Sequence, residues 1–410
     1  MKVDLPTTNH WPRVPLKHHV RVVSGYPFDS TKFNFSQGTR LVRIRDLLNQ
    51  NGEVLLTTQN VPEAEIKDGD LLIGMDGDFN LAEWQSGLAF LNQRVCKLIP
   101  RATAEPRFLR YVLPYHLKNI NDVTYSTTVK HISTFDIGNI LLSFPSTAEQ
   151  RLIAAYLDEQ TAKIDQLMDM RRRQMALLKE QRAALIQEAV TRGLNPNVPM
   201  KDSGLPWLGE IPAHWEQTRA KFVSKIFIPQ RNKPDLNEDE GYYWVTMEEM
   251  ARPIIDSATY RVSDTASIIS GSRILPCGSV IASCVGNFGA ASINAILVII
   301  NQQLQAFIPH RINNEFLRLL VTISAPYFEK IATAATLVYV NQTGFANLPV
   351  PLPPVDEQIG IIDFITSESK KFDTLHASYT RQLTLLTEYR AALIHECVTG
   401  QRSVPETSNA

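Results

Sequence analysis

A chain of 410 residues carrying 41 basic and 42 acidic side chains, for a net charge of -1, is too long for one ordinary core and is expected to divide into two or more domains. Near-neutrality neither demands nor excludes nucleic acid, since basic groups can still gather on one face. With 44% hydrophobic and 20% charged residues, no apolar run approaches the roughly 20 residues of a membrane-spanning helix, which argues against an integral helical membrane protein.

Taken in chain order, the amino-terminal MKVDLPTTNHWPRV lacks the basic, apolar and small-residue order of a secretory signal, so a cytoplasmic protein is expected. Residues 1–147 follow as a globule of short β-like runs and Gly turns, such as GDLLIGMDGDF at 69–79, with a helical patch at 104–117. This composition predicts an α+β domain. A long helix is predicted over 148–192. Neither Pro nor Gly interrupts it, Ser146 and Glu149 can form a capping box at its start, and Ile153, Leu157, Ile164, Met168, Met175, Leu178, Leu185 and Ala189 keep heptad time. At about 45 residues it would run roughly 67 Å. The Gly, Asn and Pro content of residues 193–212 marks a linker.

A second α+β globule is expected over 213–354, with AILVII at 295–300 as a buried strand and a helical patch at 314–331. A second long helix over 355–400 carries Ile361, Ile365, Phe372, Leu375, Leu383, Leu386, Leu393 and Cys397 on its seam, with His376 in the place of Met168. Residues 401–410 read as a disordered tail. The four cysteines, Cys96, Cys277, Cys284 and Cys397, show no metal spacing and are expected as reduced, largely buried thiols.

The two helices are copies of each other. RAALIQEAVT at 182–191 returns as RAALIHECVT at 390–399, with eight of ten positions matched at an offset of 208. The match extends upstream, where Pro145, Glu149, Gln150, Ile153 and Asp165 recur as Pro353, Glu357, Gln358, Ile361 and Asp373. A period near 200 residues lies far beyond the solenoid range and signals a duplicated domain pair. The globules repeat more faintly: His10 and Trp11 match His214 and Trp215, GDLLIGMDGDF matches GSVIASCVGNF at 278–288, and Asn92 and Gln93 match Asn301 and Gln302. A seam that long is unsatisfied on one helix, and the other copy is the obvious partner.

The phrase KDSGLPWLGEIPAHW at 201–215, the P-x-x-x-E-Q entry to each helix and the doubled RAALI tail resemble the specificity subunit of type I restriction-modification systems, over essentially the whole chain. The resemblance implies two target-recognition domains separated by two conserved helices that pair as an antiparallel coiled-coil spacer with pseudo-twofold repetition. It implies double-stranded DNA, two methyltransferase subunits and, in the full complex, restriction subunits as partners. S-adenosylmethionine and ATP would belong to those partners, leaving this chain non-catalytic and without a cofactor. Diverged globules imply a bipartite, asymmetric target, with the rod fixing the gap between its halves.

Base readout needs donors and acceptors on loops that can enter a groove. In globule 1 the candidates are Asp76, Asp78 and Asn80 in the loop after GDLLIG, and Ser126, Thr127, Lys130 and His131 where the family carries a polar loop. The corresponding places in globule 2 are Asn287, Tyr339, Asn341 and Gln342, with Arg231 and Lys233 on a basic turn. The run Arg171 to Arg173 reads as a solvated face or a protein-docking surface.

No GxxxxGK[ST] phosphate loop, no HExxH and no His/Cys ligand cluster occurs, so neither motor activity nor a metal site is expected. LPPV at 352–355 lacks the polar and aromatic flanks of an amino-methyltransferase motif. A protein-binding hub without DNA specificity is the alternative reading, and a cryptic methyltransferase a weaker one.

Overall fold

The computed structural model of the chain describes residues 11–123, 130–332 and 338–405. It divides into two compact units, residues 1–171 with 381–410, and residues 172–380. The helices among the described residues are α1 (Pro106–Val123), α2 (Thr134–Gly138), α3 (Thr147–Arg192), α4 (Asp264–Ser270), α5 (Asn314–Ile323), α6 (Ala325–Ile331), α7 (Gln342–Ala346) and α8 (Val355–Val398). None is long and apolar enough to cross a membrane.

In the first unit an antiparallel sheet orders the strands Val20–Ser24, Val95–Pro100, Leu71–Gly74 and Leu81–Glu83. Leu71, Leu72 and Ile73 are covered on both faces, which is why they read as a continuous apolar run instead of alternating. Helix α1 sinks Phe108, Leu109, Val112, Leu113 and Leu117 into the same core. A second sheet holds the parallel pair Thr39–Val42 and Ala89–Leu91. A two-stranded ribbon joins Arg13–Pro15 to Leu141–Ser143.

The second unit repeats this plan. Its sheet runs Ser224–Phe227, Leu304–Pro309, Val280–Ser283, Ala291–Asn294 and Ile254–Ile255. The parallel pair is Tyr242–Val245 with Val298–Ile300, and the ribbon is Glu216–Arg219 with Pro349–Leu352.

Each unit also holds an antiparallel pair of helical segments, one from α3 and one from α8. In the first unit, Ile153, Leu157 and Ile164 share a core with Leu393, Cys397 and Val398, and Arg390 Nε donates to Asp165 at 3.1 Å. In the second, Ala189 and Val190 share a core with Ile361 and Ile365, and Arg182 donates to Asp373 at 2.6 Å. The two ion pairs are the same repeat positions with the helices exchanged. Burial along the seam is uneven. Ile153, Leu157, Ile164, Leu178, Ile361, Ile365 and Leu393 are buried, Met168, Leu185, Phe372 and Leu386 are half-buried, and Leu375 and His376 are exposed. Two helices alone enclose only a narrow stripe, so the buried seam residues other than Leu178 are those that a globule's core joins, and His376 does not face the seam as its register suggests.

The P-x-x-x-E-Q motif anchors each helix to the globule before it. Buried Gln150 donates to the carbonyls of Thr103 and Pro145, each at 3.0 Å, and accepts from the Glu105 N–H at 2.8 Å. Gln358 repeats this with the Pro353 carbonyl at 2.8 Å and the Asn313 N–H at 2.9 Å. Ser146 and Glu149 form the capping box, and the Ser146 groups hold the Glu149 carboxyl below the usual carboxylate range.

Two further expectations are corrected. Residues 193–212 are more than a linker: Met200–Asp202 pairs with Glu210–Pro212 as a hairpin, with Gly204 and Gly209 at positive φ in its turn, and Leu208 and Ile211 are buried. Apolar anchors outweigh the Gly and Pro content there. The described part of the tail is also tied down, since Gln401 and Arg402 donate to the Glu396 carbonyl and Val404 packs on the first core; residues 406–410 lie outside the described residues. Of the four thiols, Cys96, Cys284 and Cys397 are buried, in keeping with the expectation of largely buried thiols, and Cys277 is exposed.

Candidate nucleic-acid interface

In the first globule, three chain segments meet at one end of the central sheet. The loop 75–80 joins the strands Leu71–Gly74 and Leu81–Glu83. Its Met75 N–H donates to the Arg94 carbonyl at 2.9 Å, while Ile132 N–H donates to the Met75 carbonyl at 2.9 Å and Gly77 N–H to the Lys130 carbonyl at 3.0 Å. Gly77 (φ 77°) and Phe79 (φ 50°) bend the loop through left-handed conformations. Phe79 is buried in the core and so holds the neighbouring Asp78 out in solvent.

The second globule builds the same junction. Cys284 N–H donates to the Gln303 carbonyl, Val340 N–H to the Cys284 carbonyl, both at 2.9 Å, and Gly286 N–H to the Val338 carbonyl at 3.3 Å. Phe288 is the buried anchor and Asn287 the exposed neighbour. A single bridge joins Asp76 to His131 in the first globule and Val285 to Tyr339 in the second.

Side chains on these matched frames differ. Asp76 accepts from or pairs with His131 Nδ1 at 2.6 Å and faces Arg94 at 3.5 Å. Lys130 donates to the Asn121 carbonyl at 2.5 Å and to its side-chain oxygen at 3.1 Å, and the Asn121 amide bonds the Gly77 carbonyl. In the second globule Gln305, wholly buried, donates to the Tyr339 hydroxyl at 3.3 Å and the Val340 carbonyl at 3.1 Å. Burial, then the neighbouring Cys284, raises the Tyr339 phenol above its ordinary value, so it remains a neutral donor. Burial likewise pushes the Cys284 thiol up to about 11.

Asp76, Asp78, Asn80, Lys130 and His131 therefore come together, as do Asn287 and Tyr339; Ser126 and Thr127 lie outside the described residues. Arg231 and Lys233 are exposed on a loop tied to the turn before strand Leu304–Pro309, where Gln302 donates to the Gln230 and Arg231 carbonyls at 3.2 and 3.3 Å. Asn341 is occupied as the N-cap of α7, accepting from Gly344 N–H at 3.0 Å, the place Ser133 fills before α2; Gln342 beside it is exposed. Its amide oxygen thus has a structural use that its position in a polar stretch does not reveal.

Sequence reasoning missed Arg94, Asn121 and Gln303. The Asn92-Gln93 and Asn301-Gln302 match stops one residue short of the pair Arg94 and Gln303, and Asn121 lies in the polar end of α1, among Lys118, Asn119 and Asp122, where nothing local sets it apart. Among the described residues no three His, Cys, Asp or Glu side chains come together as a metal site.

Residues 14–174 and 212–384 match the model of the type I restriction modification DNA specificity domain. The chain is 38% identical over 184 residues to the specificity subunit of the type I restriction enzyme EcoBI from Escherichia coli, a stretch covering 44% of this chain and 39% of that protein. It is 22% identical over 356 residues to the Escherichia coli EcoDI specificity subunit, covering 81% and 77%. It thus spans under half of the EcoBI subunit and over three quarters of the EcoDI subunit. Among solved structures, the fold is shared with a chain from work on complex assembly and conformational transition of the type I R-M system, at TM-score 0.77 and 16% identity over 97% of this chain and all of that one. It is shared also with the HsdS subunit from Thermoanaerobacter tengcongensis, at TM-score 0.57 and 16% identity over 98% of this chain and all of that one. Two matched stretches, each taking in one globule and most of the long helix behind it, place this chain in the type I restriction-modification DNA specificity family.

Proposed function

We propose that this chain is the sequence-reading and scaffolding subunit of a type I restriction-modification complex. Each globule reads one half of a bipartite, asymmetric duplex target. The α3 and α8 helices set the number of unread base pairs and dock two methyltransferase subunits, and restriction subunits complete the assembly in the cytoplasm. Chemistry, S-adenosylmethionine and ATP belong to the partners, and this chain carries no catalytic residue, metal or cofactor.

One observation carries the reading: the same loop junction is built twice with different side chains on it, Asp76, Asp78, Arg94 and His131 in one globule and Val285, Asn287, Gln303 and Tyr339 in the other. A frame kept while its side chains diverge is what two readers of unlike sequences require, since backbone position sets register and side chains specify bases. The exposed Leu177, Leu385 and Tyr389 support a docking role for the helices, because long apolar side chains on a solvated helix face favour a protein partner. Lys130 and His131 with Asp76, Asp78 and Asn80, and Asn287, Tyr339 and Gln342 with Arg231 and Lys233, are the proposed contact set; Ser126, Thr127 and Asn341 stay in it as flanking residues.

Methylome mapping of cells carrying this chain with its partner subunits tests the proposal. Methylation confined to a two-part target with unlike halves and a constant gap is the expected result. A palindromic or single-part target, or none, would overturn it.

A further inference from the structure

Arg94 lies in the turn ahead of strand Val95–Pro100. Its side chain is 58% exposed and has one ion-pair partner among the described residues, the Asp76 carboxylate at 3.5 Å. Asp76 is sunken, at 19% exposure, and its other oxygen holds His131 Nδ1 at 2.6 Å, with His131 49% exposed. A single covered carboxylate thus hydrogen-bonds one exposed group and pairs by charge with a second, on the loop junction that ends the sheet.

We propose that Arg94 is a base-reading residue for guanine in the half-site of globule 1 and that Asp76 is its positioning residue, an inference that rests on the DNA-reading function above. A guanidinium carries five N–H donors in one plane. Asp76 engages the NH1 nitrogen, which leaves the remaining donors of that plane for the O6 and N7 acceptors of guanine in the major groove. The Asp76 charge draws the guanidinium to this place in advance, which lowers the side-chain entropy lost on binding. A carboxylate beside the cation also weakens its pull on an anion, which favours a base edge over the backbone. His131, bonded through Nδ1 and half exposed, is a second polar group beside the arginine.

This device belongs to the first globule alone. At the matching places of the second stand Gln303, Val285 and Tyr339, with neither a cation nor a carboxylate among them. A guanine clamp built on charge is therefore expected in one half-site and not by the same residues in the other.

The test uses the full chain assembled with the methyltransferase subunit of its own system, assayed for binding to a duplex library randomised across the target at about 50 and about 200 mM salt. For R94A and R94K the preference for one guanine of the first half-site falls roughly 5- to 150-fold. D76N, which keeps the shape but not the charge, weakens the same preference at the same position. The other half-site keeps its preference in all three variants, which also shows that they fold. Uniform weakening across sequences, with the salt slope reduced by about one in R94A and preserved in R94K, would make Arg94 a phosphate contact and sink the proposal. Full retention of the guanine preference in R94A would sink it as well. Both results leave the DNA-reading function standing, whereas a wild-type complex without any sequence preference overturns that function and this inference together.

Discussion

Cysteine and histidine show how place in the fold sets the chemistry of single side chains. Burial pushes the thiols of Cys96, Cys284 and Cys397 up to about 12, 11 and 11, so they stay protonated and shielded, while Cys277 is exposed. Alkylation of the native protein near neutral pH should label Cys277 alone, with the other three appearing only after denaturation; peptide mass mapping reads this directly, since thiolate and access control the rate. His116 on α1 is pushed down to about 4, chiefly by burial and then by the charges of Arg13 and His395. Its unfolded imidazole titrates near 6.5. Between those values the unfolded chain binds the extra proton, so stability is complete above about pH 6.5 and is lost as pH falls towards 4, by up to about 3 kcal/mol. Urea midpoints at several pH values should drop less steeply for H116Q than for the wild type across that window. Burial of most thiols was legible in the sequence, but neither the exposure of Cys277 nor the covering of His116 was, because both depend on which distant segments lie over them.

At the scale of elements, the long helices were readable and their attachments were not. Heptad spacing predicts α3, where neither Pro nor Gly interrupts it, and α8, which holds Gly360 alone, because periodicity is written along the chain. The P-x-x-x-E-Q phrase announced itself by recurring, yet Gln150 reaches back to the backbone of Thr103 and Glu105, and Gln358 to that of Asn313. Backbone partners leave no side-chain trace in a sequence. Replacing Gln150 with Leu strands a buried N–H and two carbonyls and should cost about 1–3 kcal/mol in denaturant unfolding, with a similar loss for Q358L. A change within experimental error would mean that these bonds merely accompany the packing. The hairpin at 200–212 was hidden for a different reason: its Gly and Pro residues speak of turns, and only the burial of Leu208 and Ile211 makes those turns part of a folded unit.

At the scale of the molecule, duplication is the organising fact, with two globules on one plan and two helices on one pattern. Exchange of residues 13–143 for the corresponding globule of another family member should change one half of the target and leave the other half and the gap as they were, as read from methylation maps. Alteration of both halves would show that the globules do not read independently. The sequence by itself determined the repeat, the long helices, the two α+β globules and the absence of familiar enzymatic motifs, since each is a pattern of identity or periodicity along neighbouring positions. Tertiary structure alone decided that residues as far apart as Asp76, Arg94 and His131 share one site, and that Val285, Gln303 and Tyr339 are their counterparts. That convergence follows from strand register and the hydrogen bonds that close the sheet's end, which are set by cooperative packing and not by any local spacing.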